Sequence, residues 1–521
     1  MKRNNKFIVA VICFLLAFSF CFSAGCNKNK DNDAAEVQIV DDNYRNYYEI
    51  FVRSYYDTNN DGYGDLNGVI KKLDYVKEMG FNGIWFMPVC KSGTYHKYDV
   101  QDYYTIDKEY GTNDDFKNLV KEAHDRGINI IVDLVLNHSS NEHQWFKDAT
   151  AALKSGTESK YKNYYNFSKT NNSGYERVSG TDYYYECRFS NNMPDLNLDN
   201  QDVRNEITDI IKFWLTEMDV DGFRLDACTS YYTGNVEKNI EFLSFVNRTA
   251  KGVKSDAYIV GEAWEGTDGQ IRQYYESGID SCFLFTASQG GGTIKSVFSS
   301  IRNNPGEYFT DLLMNYQSVY NVGSLAPFLG NHDTARAAKF LYGDTVKMAA
   351  GLLSVMNGNT FVYYGEEIGM VNESDADPTK RIAMRWEDKN VYPGLTYLPP
   401  EGVTVNKNSY VYPSVLTQQA DEGSILNYYK NAMWIRHRNP EIARGTIEKL
   451  PISDRYVSAF AKTWKDSRIV ILINLSDIEE KAVDVSSYGK LELKDSLVVS
   501  GKVSKNNNAV TLPPYSIAIL K

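Results

Sequence analysis

The chain alternates short apolar runs rich in β-formers with longer stretches whose apolar residues recur every three or four positions. Tyr48-Glu49-Ile50-Phe51-Val52 is the first run. Leu66, Val69, Ile70, Leu73, Val76 and Met79 then share one helical stripe, which Gly80 ends. Gly83 to Met87 predicts a second strand. Asp114 and Asp115 suit the opening of a helix lined by Phe116, Leu119, Val120 and Ala123 and closed by Gly127. Ile128 to Leu136 is apolar except at Asn129 and Asp133, as a parallel strand buried on both faces should be. Strand-like runs at 222–226, 257–262, 281–286, 325–329 and 360–364 bring the count to eight, with helical patterns between them. That is the signature of an α/β chain folded as a (β/α)₈ barrel, the TIM barrel.

Two stretches break the alternation. Residues 139–196 are rich in Tyr, Ser and Asn, show no helix period, and read as an irregular subdomain inserted after the third strand. Near the end, Ile469 to Ile473, Leu491 to Val499 and Ala509 to Leu520 are β-rich segments without helices between them. They predict a C-terminal antiparallel β-sandwich. The expected layout is therefore a barrel over 44–138 and 197–440, an insert over 139–196, and a sandwich over 441–521.

Charge and cysteine usage narrow the partners. Lys plus Arg number 56 against 67 Asp plus Glu, a net charge of −11 that would repel nucleic acid. There is no CxxC pair to bind zinc. Cys90, Cys187, Cys228 and Cys282 are expected as buried free thiols, and the chain as a monomer. At the N-terminus, basic Lys2, Arg3 and Lys6 precede an apolar run from Phe7 to Phe22, shorter than the roughly 20 residues of a membrane span. Ser23-Ala24-Gly25 then offers a small-residue cleavage site before Cys26 and a polar stretch. This resembles a bacterial lipoprotein signal over 1–25, with Ser23 where such signals usually carry Leu. The resemblance implies lipidation at Cys26, a spacer over 26–43, and a body tethered on the outer face of the cell membrane; a plain secretory cleavage would release it instead.

Side chains at the C-terminal ends of barrel strands face the active site. In this chain those ends carry His138, Arg224, Asp226, Glu262, His332 and Asp333. The segments around them, Asp133-Leu-Val-Leu-Asn137-His138, Gly222-Phe-Arg224-Leu-Asp226-Ala227, Glu262-Ala-Trp264 and Phe328-Leu-Gly-Asn331-His332-Asp333, resemble the conserved segments of the α-amylase family of glycoside hydrolases, in the family's order. Met193-Pro-Asp195-Leu-Asn197 resembles a further family segment near the end of the insert. The resemblance implies Asp226 as nucleophile, Glu262 as acid/base and Asp333 as the acid that grips the distorting sugar, the two-carboxylate chemistry of retaining glycosidases. Arg224, two residues before Asp226 on a strand, shares its face and would orient it. Neighbouring carboxylates would raise the Glu262 pKa. His138 and His332 would donate to sugar hydroxyls. Tyr95-His96-Lys97-Tyr98-Asp99 resembles the loop whose Tyr stacks under the sugar, giving Tyr98 that role with His96 beside it.

Asp57-x-Asn59-x-Asp61-Gly62-Tyr63-Gly64-Asp65 places oxygen ligands at alternating positions, the donor type Ca²⁺ takes. It departs from an EF-hand, whose twelfth position would be Gly68 rather than Glu. It resembles instead the calcium loop of the oligo-1,6-glucosidase branch, with Asp57, Asn59, Asp61 and Asp65 binding by side chain and Tyr63 by its carbonyl. Thr229 and Ser230 stand where many α-amylases carry Lys-His, which removes support for a second calcium at Asn137. Ala227 resembles the α-1,4-acting members. The expected activity is endo-hydrolysis of starch or maltodextrin. The rivals are a 4-α-glucanotransferase, an α-glucosidase with 1,6 activity, and a non-catalytic glucan-binding protein.

Overall fold

A computed structural model describes residues 37–299, 303–397, 400 and 409–521. The expected signal and Cys26 lie outside the described residues. Among the described residues, no helix is long and apolar enough to cross a membrane.

Within the compact unit Val40–Lys521, eight parallel strands follow one another around a barrel. They are β1 (Asn46–Ile50), β2 (Gly83–Phe86), β3 (Asn129–Leu134), β4 (Gly222–Leu225), β5 (Tyr258–Gly261), β6 (Ser281–Phe283), β7 (Ser324–Ala326) and β8 (Thr360–Tyr363). Each pairs with its sequence neighbour, and β1 pairs with β8 through Asn46 to Thr360. A parallel bridge from Phe328 to Phe361 closes the remaining gap. Strand residues are almost all buried, because helices cover the outside and side chains fill the inside.

The helices begin where sequence chemistry stops the chain. Asp65 accepts from the Gly68 N–H and caps Leu66–Glu78. Thr112 and Asp115 form a reciprocal capping box on Asn113–His124.

The insert is more regular than its composition suggested. Gln144–Ser155 is an α-helix, capped by His143 and ended by Gly156 at φ 68°. Its buried Trp145, Phe146, Ala149 and Ala152 mark one face, a period masked by the Tyr/Asn-rich sequence that follows. A small three-stranded sheet completes the insert.

The C-terminal region places a five-stranded antiparallel sheet against a three-stranded one. Alternation decides which face each residue serves. Ile469, Ile471, Ile473, Ile517 and Ile519 join the barrel core, while Val470, Leu472, Ala518 and Leu520 pack under the smaller sheet. Cys90, Cys228 and Cys282 are buried free thiols, whereas Cys187 is only half-buried.

Candidate active site

The carboxyl ends of β3, β4 and β5 bring three acids onto one guanidinium. Arg224 is fully buried, with Nη1 2.8 Å from Asp133 Oδ1 and 2.7 Å from Asp226 Oδ1. Its Nη2 lies 2.7 Å from Glu262 Oε1. Alternation on β4 makes this possible, since Arg224 and Asp226 share a face. The chain then turns sharply: Ala227 sits at φ 46°, and its N–H donates to Glu262 Oε2 at 2.8 Å. A non-glycine residue held there is a strained position of the kind found at functional sites.

The environments of these acids differ. Burial is the largest influence on Glu262 and, together with the charges of Asp226 and Asp333, outweighs the pull of Arg224 to raise its pKa to about 8. Neighbouring carboxylates, expected to be the main cause, add less than burial does. Burial likewise lifts Asp133 to about 7 against the pull of Arg224.

A second charged cluster stands at the ends of β7 and β1. His332 is fully buried, with Nδ1 2.5 Å from Glu49 Oε1 and Nε2 2.9 Å from Asp333 Oδ2. Burial disfavours its charge, but Asp333 and Glu49 outweigh that and hold the imidazolium to about pH 9. For Asp333, burial is opposed by His332 and by Arg381, whose Nη2 is 2.8 Å from Oδ1; together they hold this carboxylate well below its usual range.

Tyr98 joins the two clusters. Its hydroxyl donates to Asp133 Oδ2 at 3.0 Å and lies 2.6 Å from His332 Nε2. Its ring stacks on His332 at 5.7 Å between centroids. His96 accepts the Tyr98 N–H on Nδ1 at 3.2 Å, which assigns the ring proton to Nε2. Burial lowers its pKa to about 4. His138 sits with Nε2 3.2 Å from the Tyr98 carbonyl, and burial lowers its pKa as well. The structure thus gathers Asp226, Glu262, Asp333, His96, Tyr98, His138, Arg224 and His332 at one mouth of the barrel. His332 already spends both ring nitrogens on protein partners, so its clearest task is orienting Asp333.

Glu49, Asp133 and Arg381 were missed as site residues. The first two carried a signal, a charged residue inside an otherwise apolar strand. Arg381 ends a four-residue helix, Asp377–Lys380, too short for periodicity to show.

The oxygen-rich loop lies after β1. Asp57 accepts from the N–H groups of Asn59, Asn60 and Gly62, and Asp61 accepts from that of Tyr63. Asp65 is engaged by Thr58 and by its helix cap. Among the described residues, no group of three or more His, Cys, Asp or Glu is gathered closely enough to hold a metal. The oxygen-only donor set still suits a hard cation, because each carboxylate oxygen has a second lone pair. At the other side, Asn137 Nδ2 donates to Asp195 Oδ1 at 3.1 Å.

Paired acids on a shared arginine, in the mouth of a closed (β/α)₈ barrel, define a glycosidase site. The α-amylase catalytic-domain model matches residues 49–445, and the chain belongs to the α-amylase family of glycoside hydrolases. It is 35% identical to alpha-amylase 3 of Dictyoglomus thermophilum, over 92% of this chain and 93% of that one. An oligo-1,6-glucosidase of Parageobacillus thermoglucosidasius is 30% identical, over 82% and 89%. The solved structure of Eubacterium rectale Amy13B superposes with a TM-score of 0.89 at 41% identity, covering 93% of this chain and 97% of that one.

Proposed function

We propose that the enzyme cleaves internal α-1,4-glucosidic bonds of starch and maltodextrins with retention of configuration. The observation that carries this reading is the asymmetry of two acids on one guanidinium. Glu262 holds its proton to about pH 8, while Asp226 meets Arg224 Nη1 at 2.7 Å. Retaining glycosidases set such a pair about 5–5.5 Å apart. Asp226 attacks the anomeric carbon as Glu262 gives its proton to the leaving oxygen, and a glycosyl ester forms on Asp226. Glu262 then takes a proton from the water that breaks this ester. Asp333, fixed by His332 and Arg381, grips the sugar while it flattens. Ala227 beside the nucleophile supports α-1,4 over α-1,6 linkages by the family resemblance.

The same proposal places the enzyme as a monomer outside the cell, tethered through Cys26. Ca²⁺ would be held by Asp57, Asn59, Asp61 and Asp65 side chains and the Tyr63 carbonyl, supplying stability to the loop after β1.

Incubation with soluble starch, maltotriose, maltotetraose and isomaltotetraose, followed by chromatography of the products, tests the activity. Short maltooligosaccharides are expected from starch, with maltotetraose cut roughly 10–200-fold faster than isomaltotetraose. Chains longer than the substrate as the main product would mean a glucanotransferase, and equal rates on the two tetraoses would mean a 1,6-glucosidase. No products at all would leave a binding protein.

A further inference from the structure

Between β2 and the helix Asn113–His124 the chain makes an antiparallel hairpin, Cys90–Ser92 with Val100–Ile106, whose loop carries His96, Lys97 and Tyr98. Lys97 sits at φ 65°, a left-handed backbone that a residue with a Cβ adopts only under strain. Glycine would take this turn freely. The lysine is held there by its own side chain, for it is 2% exposed despite its charge. Its Nζ lies 2.8 Å from Glu109 Oε2 and 3.2 Å from Asp107 Oδ2. Both acids are fixed in turn. Asp107 accepts the N–H groups of Ser92 at 2.9 Å and Glu109 at 3.0 Å, and Arg53 Nη1 bonds Glu109 at 3.1 Å. A buried ammonium persists only where such partners are in place, so the hairpin loop is fastened from inside the protein.

The fastening sets the two residues on either side of it. His96 and Tyr98 stand with ring centroids 5.9 Å apart, and the Tyr98 N–H donates to His96 Nδ1 at 3.2 Å. Tyr98 reaches both acid clusters, through Asp133 and His332, and its carbonyl lies against His138. Residues 96 and 98 thus meet the reacting groups, while the ammonium of residue 97 goes to Asp107 and Glu109. Resting on the glucan-hydrolase reading, we infer that Lys97 is a positioning residue for the reaction: anchored to those two acids, it holds the left-handed turn that sets His96 and Tyr98 together against the sugar to be cleaved. A rotation of that turn would displace a ring bonded to both clusters at once, and a misplacement of about 1 Å in such a frame can cost roughly 10²-fold in rate.

Two substitutions separate a held backbone from a merely buried charge. Lys97→Ala and Lys97→Gly both remove the ammonium, but only glycine keeps φ near 65° without strain. Values of kcat and KM are measured on maltohexaose well below the Tm of each protein. The alanine variant is expected to lose about tenfold or more in kcat/KM, and the glycine variant to return to within about threefold of the wild type. Equal losses in the two, or wild-type kcat/KM with only a lowered Tm, would overturn the inference. If the alanine variant does not fold, Glu109→Gln removes one charged anchor at a partly exposed position and is expected to lose about threefold or more. Unchanged kcat/KM in that variant would overturn the inference equally. No hydrolysis of maltohexaose by the wild type would instead overturn the glucan-hydrolase reading beneath it.

Discussion

The two borders of the catalytic cleft are built on opposite terms. Around Asp333 the charges are matched: buried His332 lies between Glu49 and Asp333, and Arg381 bonds Asp333 while its Nη1 donates to the Tyr95 hydroxyl at 3.2 Å. Elsewhere the aromatic surface is open. Trp264, two residues past Glu262, is 47% exposed and stacked on Phe285 at 4.6 Å, and Phe189 is open too. In the proposed mechanism the first would hold a single ring through a change of shape, where a small misplacement is expensive. The other would suit chains of variable length, for which flat apolar faces suffice. Substitutions at the first border should therefore damage chemistry, and substitutions at the second should alter selectivity.

The largest effect is expected at Asp226, the proposed nucleophile. Asp226→Asn keeps the shape and removes the charge, and kcat on maltotetraose should drop by several orders of magnitude. A variant with a tenth of wild-type turnover would refute the assignment.

Next comes the charge-matched border itself. Arg381→Met leaves the partly buried Asp333 carboxylate with one cation fewer to hold it. A fall in kcat/KM of roughly 10²-fold or more is expected. Losing that cation favours the neutral acid, so the low-pH limb of the activity profile should also move upward. An unshifted limb with unchanged kcat/KM would reduce Arg381 to packing.

Glu262 offers a milder test. It works protonated, so activity is present below its pKa of about 8 and lost as pH rises through that value. The alkaline limb should fall about tenfold per pH unit. A flat profile to about pH 9.5 would assign the proton donor elsewhere.

Much of this was legible beforehand because strand ends obey a rule. Once Tyr48–Val52, Gly83–Met87 and their successors were read as barrel strands, the residues at their ends became neighbours in space. The helix Gln144–Ser155 was hidden by the Tyr- and Asn-rich sequence after it, though Gly156 marked its end. Arg381 was illegible for a different reason. It only ends the one-turn helix Asp377–Lys380, and side chains hold the carbonyls that follow: Ser54 Oγ donates to that of Arg381 at 2.6 Å and the Tyr364 hydroxyl to that of Ile382 at 2.6 Å. Contacts of that range leave no period to read.

The smallest effect on chemistry is expected from calcium, which concerns neither border. The loop after β1 contributes no group to the acids, but it supports its surroundings: the Asp57 N–H donates to the Gly394 carbonyl at 3.1 Å, and the Tyr397 N–H to that of Gly62 at 3.2 Å. A bound ion adds stability as RT ln(1 + [L]/Kd), about 2.7 kcal/mol at a hundredfold excess over Kd. Chelation should therefore lower Tm by a few degrees, while kcat/KM at 25 °C changes by less than about twofold. The choice of variant matters. Asp65→Ala also removes the cap on Leu66–Glu78, a loss of about 0.5–2 kcal/mol with or without calcium. Asp61 is exposed, and the bonds it makes, to Asn59 Nδ2 and the Tyr63 N–H, lie within its own loop. Asp61→Ala should abolish the response of Tm to chelation and leave turnover intact. If this variant responds to chelation as the wild type does, the ion sits elsewhere; if chelation removes activity in the wild type at a temperature far below Tm, calcium belongs to the chemistry after all.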